Sequence, residues 1–300
     1  MTEAAARPAR TVGSVSAVGS VLLLGPDHPA LRETAARGLP AWAGQPGGGT
    51  LGAALSAGWL PKAVPAVEPN EDGVLLMAGR AGLLLAVADG HGGSAAAVGA
   101  LRAVAAAAAT ALAGPIHGAA EHSTGRPGRG AAAGESLINA LAAAAVTGVV
   151  DVPEPARTAL GLVLVLDDAV LAVTYGDTAT VLVRRGRARV VGGPSDFLGP
   201  ETSGGPDECR PVVRRRRRPG DVVAVVSDGV PDYLGRAFPA AVAAAARPGG
   251  RQVTDATAVA RALVDRAGTA GAGDNITAAV LLPGAAAPWR SRRRPRRSEV

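Results

Sequence analysis

The apolar run Gly82-Leu83-Leu84-Leu85-Ala86-Val87-Ala88 stops at Asp89-Gly90-His91-Gly92-Gly93, and a long alanine-rich stretch comes next. A short apolar run, Gly-rich punctuation and then at least ten helix-forming residues spell strand, tight turn, helix. Such a turn presents the Asp89 carboxylate at the end of a buried strand, and its glycines let other groups approach the backbone closely. A bound cation would suit it. Taken alone, the pentapeptide suits equally an ordinary turn in which Asp89 caps the helix and His91 is solvated.

Three further aspartates stand at the ends or turns of separate apolar strands. They are Asp72 in Asn70-Glu71-Asp72-Gly73, Asp228 in Val225-Val226-Ser227-Asp228-Gly229 and Asp274 in Gly273-Asp274-Asn275-Ile276-Thr277. Acids gathered from distant parts of a chain repel one another unless a multivalent cation neutralises them, and oxygen-only ligands suit Mg²⁺ or Mn²⁺.

The remaining pattern sets these turns in an α+β frame. Gly73–Ala78 and Leu83–Ala88 read as a hairpin pair, and Ala159–Leu166 and Ala169–Thr174 as a second, with Asp167 and Asp168 as turn formers. Further strands are expected at Ala179–Arg184, Arg189–Val191, Val222–Val226 and Ile276–Leu282, and helices at Ser94–Leu112, Glu135–Ala145, Pro239–Ala246 and Asp255–Ala267. Helices nested among antiparallel strands, without alternating β-α-β units, argue α+β. The run Ser94–Gly114 contains Arg102 and directly follows the Asp89 turn, which favours a buried helix over a membrane span. Aromatics are scarce, so alanine, valine and leucine must fill the interior.

Residues 1–49 have weak patterning, with a strand expected at Ser14–Leu24, and are read as a partly ordered N-terminal extension. The domain is expected over 50–285, and a basic, disordered tail over 286–300. The one cysteine, Cys209, allows no intrachain disulfide and no Cys-based zinc cluster, which fits a reducing, cytoplasmic setting. His117 and His122 sit in a Gly/Pro/Arg-rich loop without spaced partners and are read as solvated. Two arginine runs, Arg214–Arg218 and the tail from Arg290 to Arg297, read as solvated charge, with weak contact to a polyanion or an acidic membrane as the alternative.

The ordered series Asn70-Glu71-Asp72, Asp89-Gly90-His91-Gly92-Gly93, Gly176-Asp177-Thr178, Ser227-Asp228-Gly229 and Gly273-Asp274-Asn275-Ile276-Thr277 resembles the PP2C (PPM) family of metal-dependent serine/threonine protein phosphatases. Five motifs in the family's order, from about Val64 to Leu282, are far more specific than any one of them. The resemblance implies a four-layer α-β-β-α sandwich of two antiparallel sheets flanked by helices, opening with a strand just before the Asn-Glu-Asp motif for which Ala63–Val67 is the candidate, two divalent cations (Mn²⁺ or Mg²⁺) with a weaker third, and a monomeric enzyme acting on phosphoproteins.

By the same resemblance, one cation takes Asp89, Asp228 and Asp274, and the other takes Asp89, the Gly90 carbonyl and an acid of Glu71-Asp72. Asp177, with Asp228, would hold the third. Paired cations activate a water and offset charge on the transferring phosphoryl group. Asp89 is the bridge between them, and His91 is the candidate general acid, its intrinsic pKa being close to neutrality. A histidine merely hydrogen-bonded beside the site is the plainer reading of the same residue.

Two departures from the family pattern stand out. The family's phosphate-binding arginine, five residues before the Asp of the first motif, is Val67 here, so a charge-assisted contact of roughly 1.5–3 kcal/mol is missing unless Lys62 or Arg80 replaces it. Thr178-Ala179 stands where the family usually has Ser-Arg, and the stretch from Asp177 to Asp228 is short for the variable flap. An active phosphatase and a phosphatase-like regulatory protein with little turnover are therefore both consistent with the sequence. Retention of every core acid favours the enzyme.

Overall fold

The fold is described from a computed structural model, over residues 18–39, 49–62, 67–114, 129–201, 211–247 and 253–284. Cys209, His117, His122, the tail and most of the strand expected at Ala63–Val67 lie outside these residues.

Among the described residues, twelve strands form two six-stranded antiparallel sheets. In the first, the order is β1 (Gly19–Leu24), β4 (Gly73–Gly79), β5 (Gly82–His91), β6 (Arg157–Val165), β7 (Ala169–Tyr175) and β10 (Val213–Arg216). In the second it is β2 (Ala35–Leu39), β3 (Gly49–Ser56), β12 (Ile276–Pro283), β11 (Val222–Val226), β8 (Ala179–Arg184) and β9 (Arg187–Val191). Helices α1 (Ala95–Ala113) and α2 (Arg129–Thr147) cover the first sheet. After the short α3 (Pro231–Leu234), α4 (Phe238–Ala246) and α5 (Ala256–Thr269) cover the second. The expected four-layer α-β-β-α sandwich is the architecture observed.

Three apolar layers hold it together. Between the sheets, Leu51, Leu55, Val74, Leu76, Leu85, Val87, Val163, Val225 and Leu281 interdigitate. On the outer face of the first sheet, Leu75, Leu84, Leu160 and Leu162 meet Leu101, Val104 and Leu112 of α1 and Ile138 and Leu141 of α2. On the outer face of the second, Ala224, Val226, Ala278 and Val280 meet Val242, Leu263 and Val264. Central strands buried on both faces need apolar residues at every position, which is why they read as unbroken runs and not as alternation.

Helix α5 is amphipathic in the ordinary way. In α5, Ala256, Val259, Ala260, Leu263, Val264 and Ala267 are buried at helical spacing, and the Asp255 side chain caps the first turn by accepting the Thr257 N–H at 2.9 Å. Although α1 is long and apolar enough to cross a membrane, its Ala96, Ala97, Ala100, Leu101, Val104, Ala108 and Leu112 are buried, and it packs on β4, β5 and β6.

Several elements differ from expectation. The sheets begin at Gly19, not at residue 50: β1 pairs with β4 and β2 with β3, so part of the stretch read as an N-terminal extension supplies an edge strand to each sheet. No strand contains Val67, which lies in a bend and is 72% exposed. Among the described residues, the strand that precedes the Asn-Glu-Asp motif is β3, which pairs along its whole length with β12. Within the first arginine run, Arg214–Arg216 form an edge strand on β7; their side chains are exposed, but their backbone completes the sheet. The backbone N–H of Arg217 donates to Asp168 O at 2.8 Å and its guanidinium to Leu166 O at 3.1 Å, so this run also braces the β6–β7 turn.

Candidate metal centre

Antiparallel register brings the five motifs to one end of the sandwich. Gly73, the first residue of β4, pairs with Ala88 just before Asp89; Val226, the last of β11, pairs with Ala278 near the start of β12 and with Ala179 at the start of β8. The Gly176–Thr178 turn, in which the chain crosses from the first sheet to the second, sets Asp177 at the same end.

Strand β5 runs three residues into the expected turn because β6 continues to pair with it, matching Asp89 to Ala159, Gly90 to Thr158 and His91 to Arg157. Thr158 Oγ1 donates to Asp89 O at 2.8 Å, holding this end of the strand. Gly90 has no room for a side chain, since a Cβ there would lie 2.5 Å from Glu71 O. Gly229 is equally constrained: a Cβ would collide with the Asn275 carbonyl. Each glycine lets one acid-bearing turn rest directly on another.

The acids are deeply placed. Asp72 and Glu71 are buried and Asp89 is 7% exposed, whereas Asp228 and Asp274 are half-buried and Asp177 is exposed. Ligand atoms of Asp89, His91 and Asp228 lie within 4.8 Å of one another. Asp72 Oδ2 accepts from Thr277 Oγ1 at 2.7 Å, but Asp72 Oδ1 and Asp89 Oδ2 are buried and meet no N–H or O–H. A buried carboxylate oxygen without a donor is costly. Burial, opposed by hydrogen bonds from Thr277 and Ser227 and reinforced by Asp228 and Asp274, pushes the Asp72 carboxyl up to about 7. Burial and then the charges of Asp72 and Asp228 raise Asp89 well above the usual carboxylate range. Asp228 is also raised, by burial first and against its hydrogen bond with Asp89, with Asp274, Asp177 and Asp232 adding to the rise.

This donor set fits hard divalent cations: several carboxylates and a backbone carbonyl, all oxygen, two of the oxygens orphaned in the interior. Glu71 and Asp72 differ in situation. Asp72 is bound to Thr277 at the floor, while Glu71 Oε1 accepts the backbone N–H groups of Val67 and Glu68 at 3.1 and 3.3 Å. Asn275 ties the motifs together, its Oδ1 accepting the Glu71 N–H at 2.8 Å and its Nδ2 donating to Pro69 O at 2.9 Å.

Sequence reasoning left one cation of the site unplaced. Lys62, the only lysine in the chain, puts its Nζ 3.1 Å from Asp274 Oδ1 and 3.5 Å from Glu71 Oε2. Burial works against its charge, but Asp274, Glu71 and Asp72 outweigh it and raise its pKa, so the ammonium is charged. Arg80 is remote. It lies in the β4–β5 turn, at the opposite end of that hairpin from Asp72 and Asp89. Also missed were Asp232 on α3, whose carboxyl is raised by burial and by Asp177 and Asp274, and Phe197, whose ring lies edge-on to His91 at 4.8 Å with the Arg157 guanidinium over it at 4.8 Å. Phe197 and Leu198 reach the site because Leu198 bridges to Thr158, a contact between distant segments that no local pattern announces. His91 itself is half-exposed, its Nδ1 3.7 Å from Asp89 Oδ1 and 3.4 Å from Asp89 O.

Comparison with known proteins agrees with the motif series. Residues 65–265 match the Protein phosphatase 2C family. The chain belongs to that family. No curated protein matches it in sequence. Among solved structures, it is similar to the catalytic domain of the serine/threonine protein phosphatase PstP in complex with two manganese ions, at 20% identity and a TM-score of 0.53, over 88% of this chain and 99% of that one. The Mycobacterium tuberculosis phosphatase PstP/Ppp matches at 23% identity and a TM-score of 0.50, over 83% of this chain and 97% of that one. The S. agalactiae serine/threonine phosphatase matches at 17% identity and a TM-score of 0.52, over 83% and 99%. At these identities the likeness carries the fold, and the site rests on this protein 2C chain's own residues.

Proposed function

We propose that this protein is a metal-dependent protein serine/threonine phosphatase that hydrolyses phosphoserine and phosphothreonine monoesters. The observation that carries the reading is the orphaned Asp89 Oδ2, buried among carboxyls from four separate segments. Such an arrangement costs stability unless cations offset it. Divalent cations bound there supply an activated water and neutralise charge on the phosphoryl group.

The chain's own residues would then divide the work. Asp89, Asp228 and Asp274 would hold one cation, and Asp89, the Gly90 carbonyl and Glu71 would hold the other. Asp72, fully buried beneath the site, accepts from Thr277 Oγ1 and so anchors the turn that carries Glu71. Asp177, on the open side near Asp228 and Asp232, offers a weaker third position. His91 turns Nδ1 toward Asp89, which leaves Nε2 to hand a proton to the departing serine or threonine oxygen. Its ring is kept in place by the edge contact with Phe197.

A simple assay tests the reading. Purified protein is given p-nitrophenyl phosphate with Mn²⁺, and again with EDTA. Turnover that appears with Mn²⁺ and vanishes with EDTA is expected; no turnover under either condition would favour the regulatory reading that Val67 suggested.

A further inference from the structure

Resting on the phosphatase reading, we propose that Lys62 is the substrate-phosphate ligand of this site: its ammonium is held between Glu71 and Asp274 until cations claim those carboxylates, and then turns to the phosphoryl oxygens. In the family pattern an arginine would serve at Val67. Here that position is an exposed valine beside the glycine turn, where a side chain built on Gly93 would touch it, so it overlooks the site without a donor to offer.

The positive charge has instead moved to a neighbouring part of the chain. Among the described basic residues, the single lysine is the one whose charged end sits between these acids, with its side chain 19% exposed. Its two partners are carboxylates assigned to different cations, Glu71 at 3.5 Å and Asp274 at 3.1 Å, so the ammonium spans both positions. A divalent cation binding either acid competes for the same oxygen atoms and repels the ammonium. Lysine suits such a change of partner, because a four-carbon stem with three rotatable donors can be redirected where a planar fork could not. A phosphoryl group entering the site is the nearest uncommitted anion. Among the described residues, the alternative cation near the reaction centre is Arg157, already seated over Phe197.

Calorimetry on the full chain separates these possibilities. Mn²⁺ is titrated into metal-free wild type, Lys62→Met, Lys62→Arg and Arg157→Ala, and inorganic phosphate is then titrated into each Mn²⁺-loaded protein. Lys62→Met is expected to bind Mn²⁺ roughly 3–10-fold more tightly, having lost a competing charge, and phosphate roughly 10–100-fold more weakly, having lost a charge-assisted hydrogen bond. Lys62→Arg keeps the charge but not the redirectable point donor; it should fold as wild type, leave Mn²⁺ affinity within about threefold of it, and hold phosphate with an affinity between those of wild type and Lys62→Met. Unchanged phosphate affinity in Lys62→Met, or weaker Mn²⁺ binding, overturns the inference; loss of phosphate binding in Arg157→Ala alone assigns the role to Arg157. Absence of Mn²⁺ binding in wild type overturns the phosphatase reading and this inference with it, whereas Mn²⁺ binding and turnover with an indifferent Lys62 overturns this inference alone.

Discussion

Glu71 and Asn275 stand 204 residues apart, yet the Glu71 backbone N–H donates to Asn275 Oδ1 at 2.8 Å. Through that bond the turn before β4 and the turn before β12 are set in one register, and Asn275 Nδ2 adds a second tie to Pro69 O. Replacing Asn275 by Ala leaves these buried groups without partners. Asn275→Ala is expected to destabilise the fold by about 1–3 kcal/mol in chemical denaturation and to weaken Mn²⁺ binding roughly tenfold, as loss of an orienting partner does at metal sites. Wild-type stability with wild-type metal affinity would show that the turns position themselves without it.

The buried acids give the metal-free protein an inverted pH response. Asp72 is pushed up to about 7 and Asp89 is raised as well, so between the ordinary carboxylate range and neutrality the folded state holds protons that the unfolded chain has lost. Stability must then fall as pH rises through that window, since the native state is the one binding more protons. Thermal melts in EDTA are expected to show Tm declining from about pH 5 to about pH 8, while the stabilisation given by Mn²⁺ grows over the same range. A Tm in EDTA that climbs with pH would mean that these carboxyls are ionised without penalty.

For His91, the leaving group is the informative variable. His91→Gln is expected to slow hydrolysis of a phosphoserine peptide by roughly 10²–10⁴-fold, but that of p-nitrophenyl phosphate far less, because p-nitrophenolate departs without a proton. Equal losses on both substrates would reduce His91 to a neighbour of Asp89.

Val67 tests the division of labour with Lys62. Since Val67 is exposed, an arginine there can be accommodated without burying an unpaired charge. Val67→Arg should change KM by less than about threefold while Lys62 is present, yet recover roughly 10-fold or more of the KM lost in Lys62→Met. Equal effects in both backgrounds would show that the two positions do not serve the same phosphate.

Much of this was legible because the chemistry is written locally. The run Gly82–Ala88 ending in Asp89-Gly90-His91 announces both a doubly buried strand and its acid, and the helical spacing of Val259, Leu263 and Val264 announces α5. Strand β3 was hidden by its sequence, Gly-Thr-Leu-Gly-Ala-Ala-Leu-Ser, in which small residues replace the β-branched signal. The structure uses the smallness: a Cβ on Gly52 would collide with the backbone of Ala256 and Thr257 at the start of α5. Strand β10 was hidden by charge, because an edge strand needs pairing from its backbone and asks little of its side chains. Lys62 could not be placed at all, since its partner Asp274 is brought to it only by the pairing of β3 with β12.

The most direct measurement is release of inorganic phosphate from a phosphothreonine peptide by wild type and by Asp89→Ala, each with Mn²⁺ and with EDTA. Wild type is expected to release phosphate only with Mn²⁺, and Asp89→Ala to be at background under both conditions, because Asp89 is the carboxylate shared by both proposed cations. Release by wild type that persists in EDTA, or that survives Asp89→Ala, would contradict a metal-dependent phosphatase built on these acids.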